Sequence, residues 1–185
     1  MMTLSSSKRT TLCAVCIVLC YVLPIAFHSV GLGGALSPMH IPVLLCGIVC
    51  GGGAGLLCGL VGPVLSSLLS GMPPMLMLVR MIPELCVYGL AAGIAMKHLH
   101  TGSEVKDVYI SLIAAMVAGR IAGGIASAVF YMVTSGVYSV ALWFASYFVE
   151  SIPGIAVHLV LVPVLVFSLR KARLIPKRYG ANANG

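Results

Sequence analysis

Four charged side chains interrupt long apolar runs of this chain: Arg80, Glu84, Arg120 and Glu150. A charge near the centre of a bilayer costs about 2.5–3.5 kcal/mol on insertion scales, so each is expected to face protein or a cavity and to find a partner. Arg80 and Glu84 stand four residues apart, which permits a pair along one helix. Glu84, Arg120 and Glu150 lie at comparable depth counted from the outer span ends, which permits a pair between helices. Either arrangement would staple a helical bundle without any chemistry. Arg80 lies nearer the outer end and is the better-placed cation for a bound anion. His40, between Pro38 and Pro42, and His158 are the titratable groups that could join them.

Around these groups the sequence offers softer signals. Tyr131, Tyr138, Trp143 and Tyr147 gather toward one end of the later apolar runs. They read either as an interfacial aromatic belt or as a stacking wall over a flat organic ligand. Met72, Met75, Met77 and Met81 could suggest a soft metal, but without a tight His or Cys set they read as adaptable apolar contacts. Seven cysteines are present, and Cys13-x-x-Cys16 has metal-like spacing. It sits in an apolar run with no second pair beside it, so these cysteines are expected to pack as small apolar residues.

Composition says what positions these residues. Of 185 residues, 60% are hydrophobic and 8% charged, where a soluble domain carries roughly 25% charged. Mean hydropathy is +1.10. The chain therefore reads as an integral membrane protein. Its formal net charge of +7 could suggest nucleic acid, but the placement argues for membrane topology instead. Lys8 and Arg9 precede the first apolar run, Arg170, Lys171, Arg173, Lys177 and Arg178 follow the last, and Lys97 and Lys106 bracket one polar loop.

The sequence predicts an all-α membrane protein, a single domain over 1–185 with six spans at about 11–27, 39–51, 54–70, 75–96, 107–133 and 140–169. Pro24 and His28 are expected to end the first span. That span lacks a small-x-small cleavage pattern after it, so it is expected to be retained. Six spans put both termini and every loop Lys and Arg on one side, the cytoplasmic pattern of the positive-inside rule; five would not. The stretch 37–74 contains no Asp, Glu, Lys or Arg, and Gly47, Gly51, Gly55 and Gly59 repeat every four residues in it. Small residues let membrane helices approach backbone to backbone, and Gly51-Gly52-Gly53 is expected to break this stretch into two helices. The first would be only about 20 Å long. Irregular backbone at its ends then requires surrounding protein or a water-filled cavity, so the loop over 29–40 is expected to frame one.

Several activities lack their signatures. No GxxxxGK[ST] is present for nucleotide hydrolysis, and neither HExxH nor GxSxG occurs. The spans contain no Asn or Gln, and Asp107 stands at a span edge.

The segments SPMHIPVLLCG (37–47), GPVLSSLLSGMPP (62–74), PELCVYGLAAG (83–93), GRIAGGI (119–125) and SIPGIAVHLVLVP (151–163) resemble, in order and spacing, the substrate-binding S components of energy-coupling-factor (ECF) transporters. The resemblance touches five of the six spans and leaves the first unmatched. It implies a six-helix bundle with cytoplasmic termini, and a substrate held near the outer face under loops at about 29–40, 70–75 and 134–142. It also implies a transmembrane coupling protein and two cytoplasmic ATPases as partners, in keeping with the absent nucleotide motif. Family members dock the coupling protein through small residues on span one. Thr10 and Ala14, with Cys16 and Cys20, keep a small-residue spacing but lack the usual alanine series.

The resulting expectation is a cell-membrane binding protein that does no chemistry itself, needs no cofactor or metal, binds no nucleic acid, and captures a vitamin or cofactor precursor. Pantothenate comes first because its one carboxylate suits Arg80. The substrate-binding set is Arg80, Glu84, His40, Arg120, Tyr131, Trp143 and Glu150. Three alternatives stand beside it. A lipid-modifying enzyme would use Glu84, Glu150, His40 or His158 as acid and base. A cobalt or nickel uptake component would need a Met-His at a free N-terminus, whereas Met39-His40 is internal. An autonomous secondary transporter would be expected to show inverted repeats, and residues 1–95 and 96–185 share no similarity.

Overall fold

The computed structural model describes residues 4–29, 31, 37–134, 139–145, 149, 151–176, 178 and 179. Among them run seven helices: α1 Ser6–Ser29, α2 His40–Cys50, α3 Gly52–Ser70, α4 Met75–His98, α5 Glu104–Val133, α6 Val140–Phe144 and α7 Ile152–Lys171. No strand occurs among the described residues. Helices α1, α3, α4, α5 and α7 are each long and apolar enough to cross a membrane.

The remaining apolar helix, α2, differs in kind. It has eleven residues, all of them buried, and reaches only about 16 Å at 1.5 Å per residue. An apolar surface all the way round suits a helix enclosed by others. Helices α1, α3, α4, α5 and α7 all pack against it.

The expected sixth span over 140–169 is not one helix. Among the described residues it comprises the short α6 and the long α7, with Pro153 in the first turn of α7, where its missing N–H leaves no bond unmade. Nor does Pro24 end the first span: α1 continues through it to Ser29. Pro63, Pro83 and Pro163 likewise lie inside α3, α4 and α7. In a bundle of membrane helices neighbouring groups can satisfy the freed carbonyls, so proline is a weaker terminator than in water.

Glycine sets how closely the centre packs. The break between α2 and α3 falls at Gly51 alone, with φ +92°, a conformation that side chains disfavour. Gly47 on α2 and Gly55 and Gly59 on α3 present bare backbone to α4, where a Cβ at any of them would run into the backbone of Gly89 or Leu85. Gly52 and Gly93 meet in the same way. Six cysteines fill the neighbouring seam of α1, α2 and α3: Cys13, Cys16, Cys20, Cys46, Cys50 and Cys58 are all buried, with Cys20 and Cys58 Sγ 3.9 Å apart.

The two ends of the bundle have opposite character. One carries Ser37, His40, Met72, Arg80 and His158 around open space. At the other, the basic tail is tied down. The Arg178 Nε lies 2.8 Å from Oδ2 of fully buried Asp107, and Tyr179 donates its hydroxyl to the same oxygen. Thr101 donates to Oδ1 through its N–H (3.0 Å) and hydroxyl (2.7 Å). Arg178 also donates to the carbonyls of Met96 and Leu99, and Arg170 pairs with Glu104.

Candidate substrate-binding site

A cavity of about 270 Å³ with several charged and polar side chains in its walls opens at the first of these ends. Its described walls come from the N-terminal parts of α2, α4 and α7 and from the middle of α5, with His40, Arg80, Glu84, Arg120, Ser151 and His158 among them. Three helices thus begin near one space, and helix N-termini favour negative charge.

Ser37 organises the floor. Its φ is +44°, the left-handed region that costs a non-glycine residue roughly 1–2 kcal/mol. Its carbonyl accepts from His40 Nδ1 at 3.0 Å and from His158 Nε2 at 3.3 Å. A carbonyl can only accept, so those ring nitrogens carry protons. The two imidazoles stack with centroids 5.5 Å apart, and Tyr88 packs edge-on against His40 at 5.0 Å.

With Nδ1 committed to Ser37, His40 turns Nε2 toward Glu84, 3.5 Å from Oε1. Both side chains are buried. Glu84 thereby pairs with a histidine of α2, where the sequence offered Arg80 or Arg120 as its partner. The pair is also the juxtaposition that an acid–base reading requires.

Arg80, one turn earlier on α4, points elsewhere. Its guanidinium lies 5.6 Å from the Phe130 ring centroid and 5.5 Å from that of Tyr131, and Nη1 donates to the Tyr131 hydroxyl at 3.4 Å. Among the described residues no carboxylate forms an ion pair with it, and its Nε is buried without a hydrogen-bond partner. This is a cation held by aromatic faces on the wall of a cavity.

Arg120 is buried on α5 and donates to the Ser151 hydroxyl. Its own carbonyl accepts from Trp143 Nε1 at 3.2 Å. The indole lies over Gly124, where any Cβ would overlap it. Trp143 and Tyr131 therefore support Arg120 and Arg80 from behind, and the described cavity lining includes neither ring. Glu150, Tyr138 and Tyr147 lie outside the described residues. Among the described residues no three His, Cys, Asp or Glu side chains group as a metal site.

Sequence reasoning missed the Ser37 carbonyl, Ser151 and Gly154 as parts of this site. Ser37 and Ser151 both lie just outside a helix start, and that position was their available signal. Thr10 and Ala14 are exposed on α1, whereas Cys16 and Cys20 are buried against α2 and α3.

A family model described as "ECF transporter, substrate-specific component" matches residues 8–166. The chain belongs to that family. No curated protein matches it, and no solved structure does. This substrate-specific component is a multi-pass membrane protein, a transporter part rather than an enzyme. Membership carries with it a small-molecule substrate and work alongside ECF coupling and ATPase modules. The match begins within the first turn of α1 and ends within α7, so it includes nearly all of the first helix, where the sequence resemblance found no motif.

Proposed function

We propose that this chain is the high-affinity capture subunit of an ECF importer, taking an anionic vitamin or cofactor precursor into the cavity between His40, Arg80 and His158. The observation that carries this reading is Arg80, a cavity-wall guanidinium without a carboxylate partner among the described residues. Pantothenate, with one carboxylate, is the first candidate.

The bundle is proposed to count as six crossings, with α2 and the α6–α7 segment completing the set, in one domain over 1–185. The cavity end faces outward. Both termini are cytoplasmic, in line with the basic residues at the opposite end of the bundle. The partners are a transmembrane coupling protein, docking on the exposed face of α1 that carries Thr10 and Ala14, and two cytoplasmic ATPases. The His40–Glu84 pair serves to fix the cavity wall.

Thermal-shift titration of the purified chain in nanodiscs against a vitamin panel led by pantothenate tests the reading. A saturable stabilisation by one member supports it. No response across the panel, with the protein folded, would reject capture by this chain.

A further inference from the structure

A second cavity of about 450 Å³ adjoins the first, and Ser37, His40, Met77 and Met81 belong to the walls of both. Away from that shared wall its chemistry changes. Met39 and Met72 join Pro24 and Pro74 there, with His28 as the one polar side chain away from the shared wall; the methionines and prolines cannot donate a hydrogen bond. Hydroxyl or amide groups placed among them would lose their water partners uncompensated. Methionine is flexible and polarisable, suited to apolar groups of irregular shape.

We infer that the substrate is amphipathic: a carboxylate head at Arg80 and an apolar tail, aliphatic or aromatic, lying in the methionine-lined slot beyond His40. The inference rests on the capture reading above and narrows its substrate class. The continuity of the two cavities carries it, because one molecule extending past Met77 and Met81 meets ion-binding chemistry at one end and a wall mainly of methionine and proline, with the single imidazole of His28, at the other. A substrate polar along its whole length, as pantothenate is, would use the first cavity and leave the second without a role.

The test is isothermal titration of the full chain in nanodiscs with pentanoate, octanoate, octanamide and pantothenate, with empty nanodiscs subtracted to remove partition into lipid. Each buried methylene strengthens binding about fourfold, so octanoate is expected to bind more than tenfold tighter than pentanoate. Octanamide, lacking the charge, should bind at least tenfold more weakly than octanoate. Met72 lies on the slot and is partly exposed, so Met72→Gln should fold and shrink the octanoate advantage to below about threefold.

Equal affinities for pentanoate and octanoate, or an octanoate advantage untouched by Met72→Gln, would overturn the slot. Pantothenate binding more tightly than octanoate would overturn it too, while leaving the capture reading intact. Displacement of octanoate by oleate supplied in the bilayer, with no effect of octanoate concentration in water, would reassign the slot to membrane lipid and overturn its role in a water-borne substrate.

Discussion

Gly55 of α3 and Gly89 of α4 touch backbone to backbone, and a Cβ built on either would overlap the carbonyl of the other. Such a contact cannot relax by turning a side chain. Either helix must move.

Gly55→Ala and Gly89→Ala should therefore each destabilise the protein by about 1–3 kcal/mol, the usual cost of overpacking. Gly53, where a Cβ would meet nothing within 4 Å, supplies the control: Gly53→Ala should leave the melting temperature unchanged or raise it. Thermal unfolding in one detergent compares the three. Equal behaviour would contradict the close approach.

Arg80→Ala should weaken an anionic substrate by more than tenfold, about 1.4 kcal/mol. The single tryptophan of the chain, Trp143, offers the readout, because its indole is bonded to the carbonyl of Arg120 on the cavity wall. Ligand titration followed by tryptophan emission should give a saturable change in the parent and a right-shifted one in Arg80→Ala. An unchanged midpoint would remove Arg80 from the site.

The His40–Glu84 contact can be weighed by a double-mutant cycle. Removing one partner of a buried polar contact costs about 1–3 kcal/mol, since the other is left unsatisfied. His40→Ala and Glu84→Gln should thus each destabilise, and the double variant should lose at least about 1 kcal/mol less than their sum. Additive losses would mean the two groups do not interact.

At the opposite end, Arg178→Ala leaves Asp107 buried without its guanidinium and releases the carbonyls of Met96 and Leu99. A stability loss of about 3 kcal/mol is expected, little altered by salt because buried pairs are poorly screened. Tyr179→Phe, which removes one hydroxyl donor from Asp107, should cost about 1–2 kcal/mol. Both are measurable by thermal unfolding at low and high ionic strength.

Docking on α1 separates assembly from capture. Ala14→Leu adds bulk on an exposed surface and lies far along the helix from Pro24 and His28, the α1 residues beside the slot. Ligand affinity should be unchanged, while co-purification with the coupling protein falls severalfold. Loss of both together would place Ala14 in the fold instead of the interface.

Much of the helical layout was legible because lipid solvation leaves a strong mark: apolar runs, basic flanks and four-spaced glycines. The role of proline was misread. Pro24 looks like a terminator by the rules of water, but α1 carries it in mid-helix. The site was half legible. Charges inside apolar runs declared Arg80, Glu84 and Arg120, yet their partners are set by how α2 meets α4, which no spacing along one helix reveals. Glu84 pairs with His40 across 44 positions of sequence, and the Ser37 carbonyl binds two histidines through a backbone atom that composition cannot register. Arg178 reads as a topological marker, and nothing in its spacing signals that it closes on Asp107.

The brevity of α2 carries a mechanical consequence. The hydrocarbon layer is about 30 Å thick, and α2 occupies only about 16 Å of the bundle's interior, beginning at His40 beneath the cavity. On the capture reading proposed above, a solute resting on that histidine has one eleven-residue helix beneath it rather than a full-length span. The proposed delivery step would then need only a shift or tilt of this short helix, which joins α3 at a single glycine.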